Sequence, residues 1–166
     1  GYTFASNSDT EVLLKGYHLW KEKVVDRCIG MFAFAIYDKE RGELLLCRDR
    51  AGVKPLYYYW HDQTLLFASE LKSFHEYPGF VKEIDVSSLS LFLQYSYIPA
   101  HYTIFKHTHK LKPGHMLRLS LKSGDLSTEE YWSVIDAYKQ PLTDMSETQV
   151  INHTEELMKS AYKYRM

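Results

Sequence analysis

The sequence contains little cysteine and no long apolar run, and both shortages exclude classes of protein. Its 166 residues include two cysteines, Cys28 and Cys47, which are too few for a disulfide scaffold or a cysteine-ligated zinc site. No apolar run reaches the roughly 18 residues of a membrane-spanning helix, and the N-terminal segment GYTFASNSDT lacks the basic and apolar regions of a signal peptide. We therefore expect a cytoplasmic protein with no membrane partner and two reduced thiols.

An excess of charge of either sign is also missing. The 20 Lys and Arg residues are matched by 21 Asp and Glu residues, which leaves a formal net charge of −1. This balance gives no electrostatic surface for a nucleic acid, so we expect no nucleic-acid partner. With 45% hydrophobic and 25% charged residues, the composition is that of a globular domain with a true core.

Motifs for binding phosphate or a metal are absent as well. The sequence has no G-x-x-x-x-G-K or G-x-G-x-x-G loop and no G-x-S-x-G elbow. His107 and His109 stand two residues apart in an extended segment, but no cysteine or acidic residue accompanies them in the sequence. We therefore expect that this chain holds no metal and no cofactor.

Hydrophobic spacing and turn residues predict alternating helices and antiparallel hairpins. Ser8 and Glu11 form a capping-box pattern that starts a helix at Asp9, and the strand at 31–37 is apolar on both faces, which indicates burial on two sides. Runs of antiparallel strands between helices favour an α+β fold in packed layers. The predicted helices cover 9–20, 22–26, 70–76, 86–97 and 146–164, and the predicted hairpins cover 31–48, 55–69 and 114–132.

The segment between the first two hairpins is unusually specific in composition. Arg48 and Asp49, at a strand end, can pair with each other and satisfy loop carbonyls. Gly52 can adopt a backbone conformation closed to other residues, and Pro55 fixes the entry into the next strand. Because paired loop charges are more often structural than catalytic, the residues alone predict a rigid connection.

The carboxylate of Asp9 lies in the first turn of a predicted helix, where the helix dipole favours negative charge. Position alone therefore indicates a capping role for Asp9 rather than a ligand-binding one.

Four segments, in this order and spacing, resemble the glutamine-hydrolysing asparagine synthases. They are SDTEV at 8–12, GMFAFAIYD at 30–38, RDRAGVKPLYY at 48–58 and LFASELK at 66–72. Downstream, KPGH at 112–115 and YW at 131–132 are similar to that family's passage from its glutaminase domain to its synthetase domain. The resemblance covers nearly the whole chain.

The resemblance implies a class II glutamine amidotransferase domain of the N-terminal-nucleophile fold, an αββα sandwich of antiparallel sheets. In this family an N-terminal cysteine hydrolyses L-glutamine with its own α-amino group as base, and the ammonia passes to a second domain. There ATP, with Mg²⁺, and L-aspartate form the adenylate that becomes asparagine. Asp9 matches the aspartate that binds the α-ammonium of glutamine. The loop of Arg48, Asp49, Gly52 and Pro55 matches family scaffold, with no catalytic step of its own.

The chain departs from the family pattern at both ends. Gly1 does not match the nucleophilic cysteine, so no catalytic residue is assigned, and the pyrophosphate-binding loop is missing. We expect a piece of a longer protein that is inactive as given: 1–122 is a partial amidotransferase domain, 123–145 a hairpin return and linker, and 146–166 the truncated first helix of an α/β synthetase domain. ATP and Mg²⁺ would belong to the missing part, and a homodimer is one candidate state of the parent.

Two alternatives stay open. A related two-domain amidotransferase could act on another acceptor, such as a sugar or a different carboxylate. The chain could also be a non-catalytic amidotransferase-like binding domain.

Overall fold

The computed structural model describes residues 2–141 and 144–164 and forms two compact units, one within 1–132 and the other within 133–166. Residues 142 and 143 of the predicted linker, together with Gly1 and the last two residues of the predicted final helix segment, lie outside the described residues. Among the described residues, none of the helices is long and apolar enough to cross a membrane.

The first unit begins with a helix and continues mainly as antiparallel strands. Its α-helices are α1 (Asp9–Trp20) and α2 (Val86–Tyr95), and short 3₁₀ helices cover Lys21–Arg27 and Leu71–Glu76. Its strands are β1 (Ala33–Asp38), β2 (Glu43–Arg48), β3 (Tyr57–His61), β4 (Thr64–Ala68), β5 (Thr108–Lys110), β6 (His115–Ser120) and β7 (Leu126–Glu130).

These strands form two antiparallel sheets. The four-stranded sheet has the order β1-β2-β6-β7, and the three-stranded sheet has the order β4-β3-β5. Each predicted hairpin is present, but the central pairing of the larger sheet joins strands far apart in sequence, with Leu46 opposite Leu117 and Cys47 opposite Met116. The larger sheet is therefore completed by a long-range contact between the first and third hairpins.

Alternation of side chains along the strands builds three apolar layers. Between α1 with its following 3₁₀ helix and the larger sheet lie Tyr17, Val24, Val25, Ile36, Leu45, Cys47 and Met116. Between the two sheets lie Leu46, Leu56, Leu111 and Leu117. Tyr59, Phe74 and Phe80 cover the other face of the smaller sheet. Because β2 and β6 supply residues to the first two layers, the larger sheet is buried on both faces at its centre.

The expectation that the strand at 31–37 is buried on both faces is wrong. β1 begins at Ala33 and is the edge strand of its sheet, and the Tyr37 side chain is 52% exposed. β2 is the strand whose faces are both buried, since Leu45 and Leu46 are nearly inaccessible on opposite sides. Alternation revealed two apolar faces, but it carried no information on which strand occupies the edge.

Helix α1 starts and ends where the sequence predicts, but the predicted capping box is wrong in detail. The Ser8 hydroxyl accepts from the Thr10 amide at 3.2 Å, two residues on instead of three. The Glu11 carboxylate does not return to Ser8; it accepts from the amides of Ala5 at 2.9 Å and Ser6 at 2.7 Å. The loop before the helix folds back and offers those two amides, so Glu11 holds the loop rather than the cap.

The second unit contains two helices, α3 (Val134–Tyr138) and α4 (Glu147–Lys163). Ser146 and Gln149 form a capping box at the start of α4, with both reciprocal hydrogen bonds present. Helix α3 lies within 123–145, the segment predicted as a hairpin return and linker. β7 pairs with β6 inside the first unit. The predicted domain limits at 122 and 145 stay predictions.

Candidate functional site

A cleft of about 680 Å³ lies along α1 and the beginning of β1 in the first unit. The four segments that carry the family resemblance all contribute to its wall. Asp9, Thr10 and Val12 come from the first, Met31, Phe32, Ala33 and Phe34 from the second, Lys54 and Pro55 from the third, and Ser69 from the fourth. Segments separated by up to 60 residues therefore converge on one concave surface.

Asp9 occupies the first position of α1 at this cleft and is exposed. Among the described residues its carboxylate accepts one hydrogen bond, from the neighbouring Thr10 hydroxyl at 3.4 Å, and forms no ion pair. An ionised carboxylate offers two oxygens that only accept hydrogen bonds. The remaining acceptor capacity suits a cationic ligand group such as an ammonium.

Glu11, two residues later, is occupied by internal contacts instead. Besides the amides of Ala5 and Ser6, it accepts from the Ser6 hydroxyl at 2.6 Å and pairs with the Lys15 ammonium, which also donates to the Thr3 carbonyl. The Lys15 hydrogen bond, followed by those from Ser6 and Ala5, lowers the pKa of Glu11 to about 2. Glu11 thereby fixes the loop that leads into Asp9.

The wall beside Asp9 is mainly apolar. Gly16 allows the following 3₁₀ helix to pack closely on α1, because a Cβ at this position would lie 2.8 Å from a Val24 methyl carbon. The larger apolar residues of the wall include Leu13, Trp20, Ile29, Met31, Phe32 and Phe34, and its basic residues are Arg27 and Lys54. A cleft with one free carboxylate and an apolar wall can hold a ligand that has an amino group and an aliphatic chain.

The loop from Arg48 to Pro55 has a buried charged end, Arg48 and Asp49, whose side chains form several hydrogen bonds to main-chain groups. The Arg48 side chain, in a residue 4% exposed, donates to the carbonyls of Lys54 at 2.8 Å, Leu111 at 2.5 Å and Gly52. The Asp49 carboxylate, in a residue 1% exposed, accepts from the amides of Val53 at 3.0 Å and Lys54 at 2.9 Å.

Side-chain bonds to the main chain and the conformation of Gly52 together fix this loop. Arg48 and Asp49 form no ion pair with each other in the described structure; each binds main-chain groups instead. Gly52 has φ +65°, and a Cβ there would lie 2.7 Å from a Pro113 ring carbon. Pro55 and Lys54 then reach the cleft wall, so this loop, anchored at its buried Arg48–Asp49 end, shapes one side of the cleft.

Neither thiol has the environment of a nucleophile. Cys28 lines the cleft, but its thiol donates to the Val24 carbonyl at 3.4 Å and burial raises its pKa. Burial raises the pKa of the fully buried Cys47 to about 12. With raised pKa values, both thiols are protonated near neutral pH. They are therefore unreactive, because the thiolate is the reactive form.

The two histidines of the extended segment have separate surroundings. The His107 ring stacks on His61 with centroids 4.1 Å apart, whereas His109 lies against Tyr58 at 5.1 Å. Within residues 2–141 and 144–164, no group of three His, Cys, Asp or Glu side chains is placed to hold a metal ion.

Of the cleft residues, the sequence singled out Asp9 for binding and named Pro55 only as loop scaffold; it missed Thr10, Cys28, Lys54 and Ser69. All except Cys28 lie inside the four segments of the resemblance, so membership of those segments was the available signal. Their shared location depends on packing between distant loops, which spacing along the chain does not reveal.

Comparison with known proteins identifies similar sequences over most of the chain. The model of the glutamine amidotransferase domain family matches residues 1–132. A putative glutamine-hydrolysing asparagine synthetase 2 of Methanocaldococcus jannaschii is 36% identical over 163 residues, which cover 97% of this chain and 31% of that protein. Glutamine-hydrolysing asparagine synthetase 3 of Bacillus subtilis is 41% identical over 136 residues, covering 81% of this chain and 22% of that protein. The chain thus spans less than a third of the length of these relatives.

Among solved structures, glutamine phosphoribosylpyrophosphate amidotransferase from B. subtilis, complexed with ADP and GMP, superposes with a TM-score of 0.53. The match covers 80% of this chain and 24% of that one at 19% sequence identity, so it bears on the fold alone. Together with the two antiparallel sheets and their flanking helices, it confirms the predicted α+β, N-terminal-nucleophile fold class.

Proposed function

Because this chain belongs to the glutamine amidotransferase domain family, we propose that it supplies the α-ammonium end of the glutamine site in a glutamine-hydrolysing asparagine synthase. The resemblance that the four segments predict is confirmed by relatives of that name at 36% and 41% identity. Hydrolysis of L-glutamine by a larger parent protein is the activity that this membership supports.

One observation carries the proposal: Asp9 lies at the cleft to which all four segments contribute, with its carboxylate bound only to Thr10 among the described residues. In the proposed complex the carboxylate accepts hydrogen bonds from the α-ammonium of glutamine, and the apolar wall excludes water from the aliphatic part. Glu11, occupied with the preceding loop, keeps the first turn of α1 in place. A charged pair that is partly removed from water gives both affinity and orientation.

The loop from Arg48 to Pro55 has a supporting role in this proposal. Arg48 and Asp49 bind main-chain groups on both sides of the connection and so hold Lys54 and Pro55 at the cleft wall. No proton or bond of the substrate is assigned to either side chain.

The acceptor chemistry lies outside this chain. We propose that the parent uses ATP, Mg²⁺ and L-aspartate in a separate domain and transfers the ammonia to make asparagine, as the names of the relatives suggest. The nucleophile that releases the ammonia is also expected outside this chain, since both thiols here are protonated near neutral pH.

Replacement of Asp9 in the full-length protein tests the binding role. Asp9→Asn removes the negative charge but keeps the shape, and we expect the KM for glutamine to rise about 30-fold or more, since a desolvated charge pair contributes roughly 2 to 5 kcal/mol. Synthesis from free ammonia should change less than twofold, because ammonia bypasses the cleft.

Asp26→Asn is the matched control, since Asp26 is exposed and does not line the cleft. It should leave both activities unchanged. An equal loss of glutamine-dependent and ammonia-dependent synthesis in Asp9→Asn would show that Asp9 supports the fold instead of binding glutamine.

The acceptor is tested separately by product analysis. Full-length protein supplied with glutamine, ATP and Mg²⁺ should form an amide with L-aspartate and not with sugars or other carboxylates. Ammonia release without any amidated product from aspartate would contradict the asparagine synthase assignment and leave the glutaminase assignment intact.

A further inference from the structure

A second pocket, of about 280 Å³, opens at one end of the interface between the two sheets. Tyr58 packs on the apolar layer between the sheets, and His109 is its register partner on β5. On the larger sheet, Thr128 is the register partner of the inward-facing Leu117, and His115 is two residues from Leu117 on the same face. Side chains of both sheets therefore meet in this pocket, away from the Asp9 cleft.

The lining of this pocket is basic and contains no carboxylate. Its polar members are Tyr58, His101, His109, Lys112, His115 and Thr128, together with Lys110. The Lys110 ammonium lies over the Tyr57 ring at 5.5 Å, on the other face of the sheet, so it is not counted among the donors. Lys112 is exposed and has no ion pair among the described residues.

The imidazoles of this pocket lie close enough to one another to repel positive charge. The His101 and His109 rings are 6.3 Å apart. Burial, followed by the charge of Lys112, lowers the pKa of His101. Burial, followed by His101 and His107, lowers the pKa of His109, with Asp85 acting in the opposite direction. An anion in the pocket would relieve this repulsion.

Several donors remain available there. The Tyr58 hydroxyl has no hydrogen-bond partner within the part of the chain that the structure describes. His115 contacts the Pro113 carbonyl through Nδ1 at 2.8 Å, which makes Nδ1 the donor; its Nε2 is then an acceptor in the neutral ring and donates to an anion only when the ring is protonated. Glu130, opposite His115 in register, forms no ion pair with it among the described residues.

We propose that this pocket binds a phosphate-class oxyanion. Donors from two sheets and one ammonium surround it, and a phosphate has more acceptor oxygens and more charge than a carboxylate to satisfy them. The pocket is smaller than the usual range for drug-sized ligands, which suits a compact anion or the phosphate end of a larger molecule. This site is independent of the proposed glutamine site.

Titration of the intact protein, labelled on histidine for NMR, tests the proposal at constant ionic strength. Inorganic phosphate, pyrophosphate and AMP are the three phosphate probes, and acetate is the carboxylate probe. We expect saturable shifts of the His101, His109 and His115 ring signals with phosphate. A response to AMP equal to or stronger than that to phosphate identifies a nucleotide as the source, and a stronger response to pyrophosphate identifies a free polyphosphate.

Variants test whether phosphate binding at this pocket causes the NMR shifts. Lys112→Gln should weaken phosphate binding by up to about fivefold, the limit for one exposed charge pair, and Lys112→Arg should restore it. Lys82→Gln, at an exposed lysine outside the pocket, should change nothing. Absence of saturable shifts, equal shifts with acetate, or equal weakening by Lys112→Gln and Lys82→Gln would overturn the proposal.

Discussion

Two aspartates in this chain stand in opposite circumstances, and the contrast separates a structural charge from a binding one. Asp49 is 1% exposed and its two oxygens accept from the main-chain amides of Val53 and Lys54. Asp9 is exposed at a cleft and binds only the Thr10 hydroxyl among the described residues. A buried charge with both oxygens hydrogen-bonded to its own loop stabilises that loop, whereas a charge with one oxygen unbonded at a concave surface can bind a ligand.

The same substitution at both positions tests this comparison most strongly. Asp49→Asn replaces one accepting oxygen with a donor facing a main-chain amide, and we expect the unfolding free energy to fall by about 3 kcal/mol. Asp9→Asn should change it by less than about 0.5 kcal/mol, because the residue is exposed. Chemical denaturation of the two variants measures both values. Similar losses at the two positions would mean that Asp9 is also a structural residue.

Gly52 extends the comparison to the backbone of the loop that Asp49 holds. Gly52→Ala adds a Cβ 2.7 Å from the Pro113 ring at φ +65°, and we expect a loss of about 2 to 3 kcal/mol from backbone strain and crowding together. Gly42→Ala is the matched control, since its φ is +66° but the added Cβ meets the flexible Lys122 side chain at 3.3 Å.

Gly42→Ala should therefore show only the backbone part, about 1 to 2 kcal/mol. Thermal unfolding of both variants measures the difference between their losses of unfolding free energy. Equal losses would show that Pro113 can move aside and that the loop is less rigid than its hydrogen bonds imply.

Local signals in the sequence predicted the elements well because those signals act over a few residues. Ser8 starts α1, Asp85 caps α2 through the Ser88 amide at 3.0 Å, and Ser146 with Gln149 starts α4. Turn residues likewise predicted all three hairpins. These features depend on hydrogen bonds between near neighbours, which the order of residues specifies directly.

Long-range arrangements were not available from the same signals. The edge position of β1 and the pairing of β2 with β6 depend on which hairpins meet, and alternation within one strand is the same at an edge or a centre. The composition of the cleft wall was likewise not predictable from local signals. Asp9 was named through the family resemblance, while Lys54 and Ser69 join it only because separate loops pack together.

The smallest expected effect concerns Glu11, which combines features of both aspartates: it lies beside the cleft residue Asp9, yet its carboxylate is fully engaged. Its pKa is lowered from 4.5 to about 2, so its stabilisation of the loop is present above about pH 4.5 and is lost as the pH falls through about 2. Hydrogen exchange at the Ala5 and Ser6 amides reports this directly. Glu11→Gln should weaken their protection at neutral pH, toward the level that the unmodified protein shows near pH 2.

Glu155→Gln is the control, because Glu155 forms an exposed ion pair with Lys159 in α4 and should leave those amides unchanged. The KM for glutamine of Glu11→Gln then shows whether Glu11 is purely structural, like Asp49, or also affects glutamine binding at Asp9. A small rise would show that the loop positions Asp9 for its ligand, since the neutral side chain no longer holds the first turn of α1. Protection of Ala5 and Ser6 that is unaffected by Glu11→Gln would mean that the loop is held by the Lys15 contact with Thr3 instead.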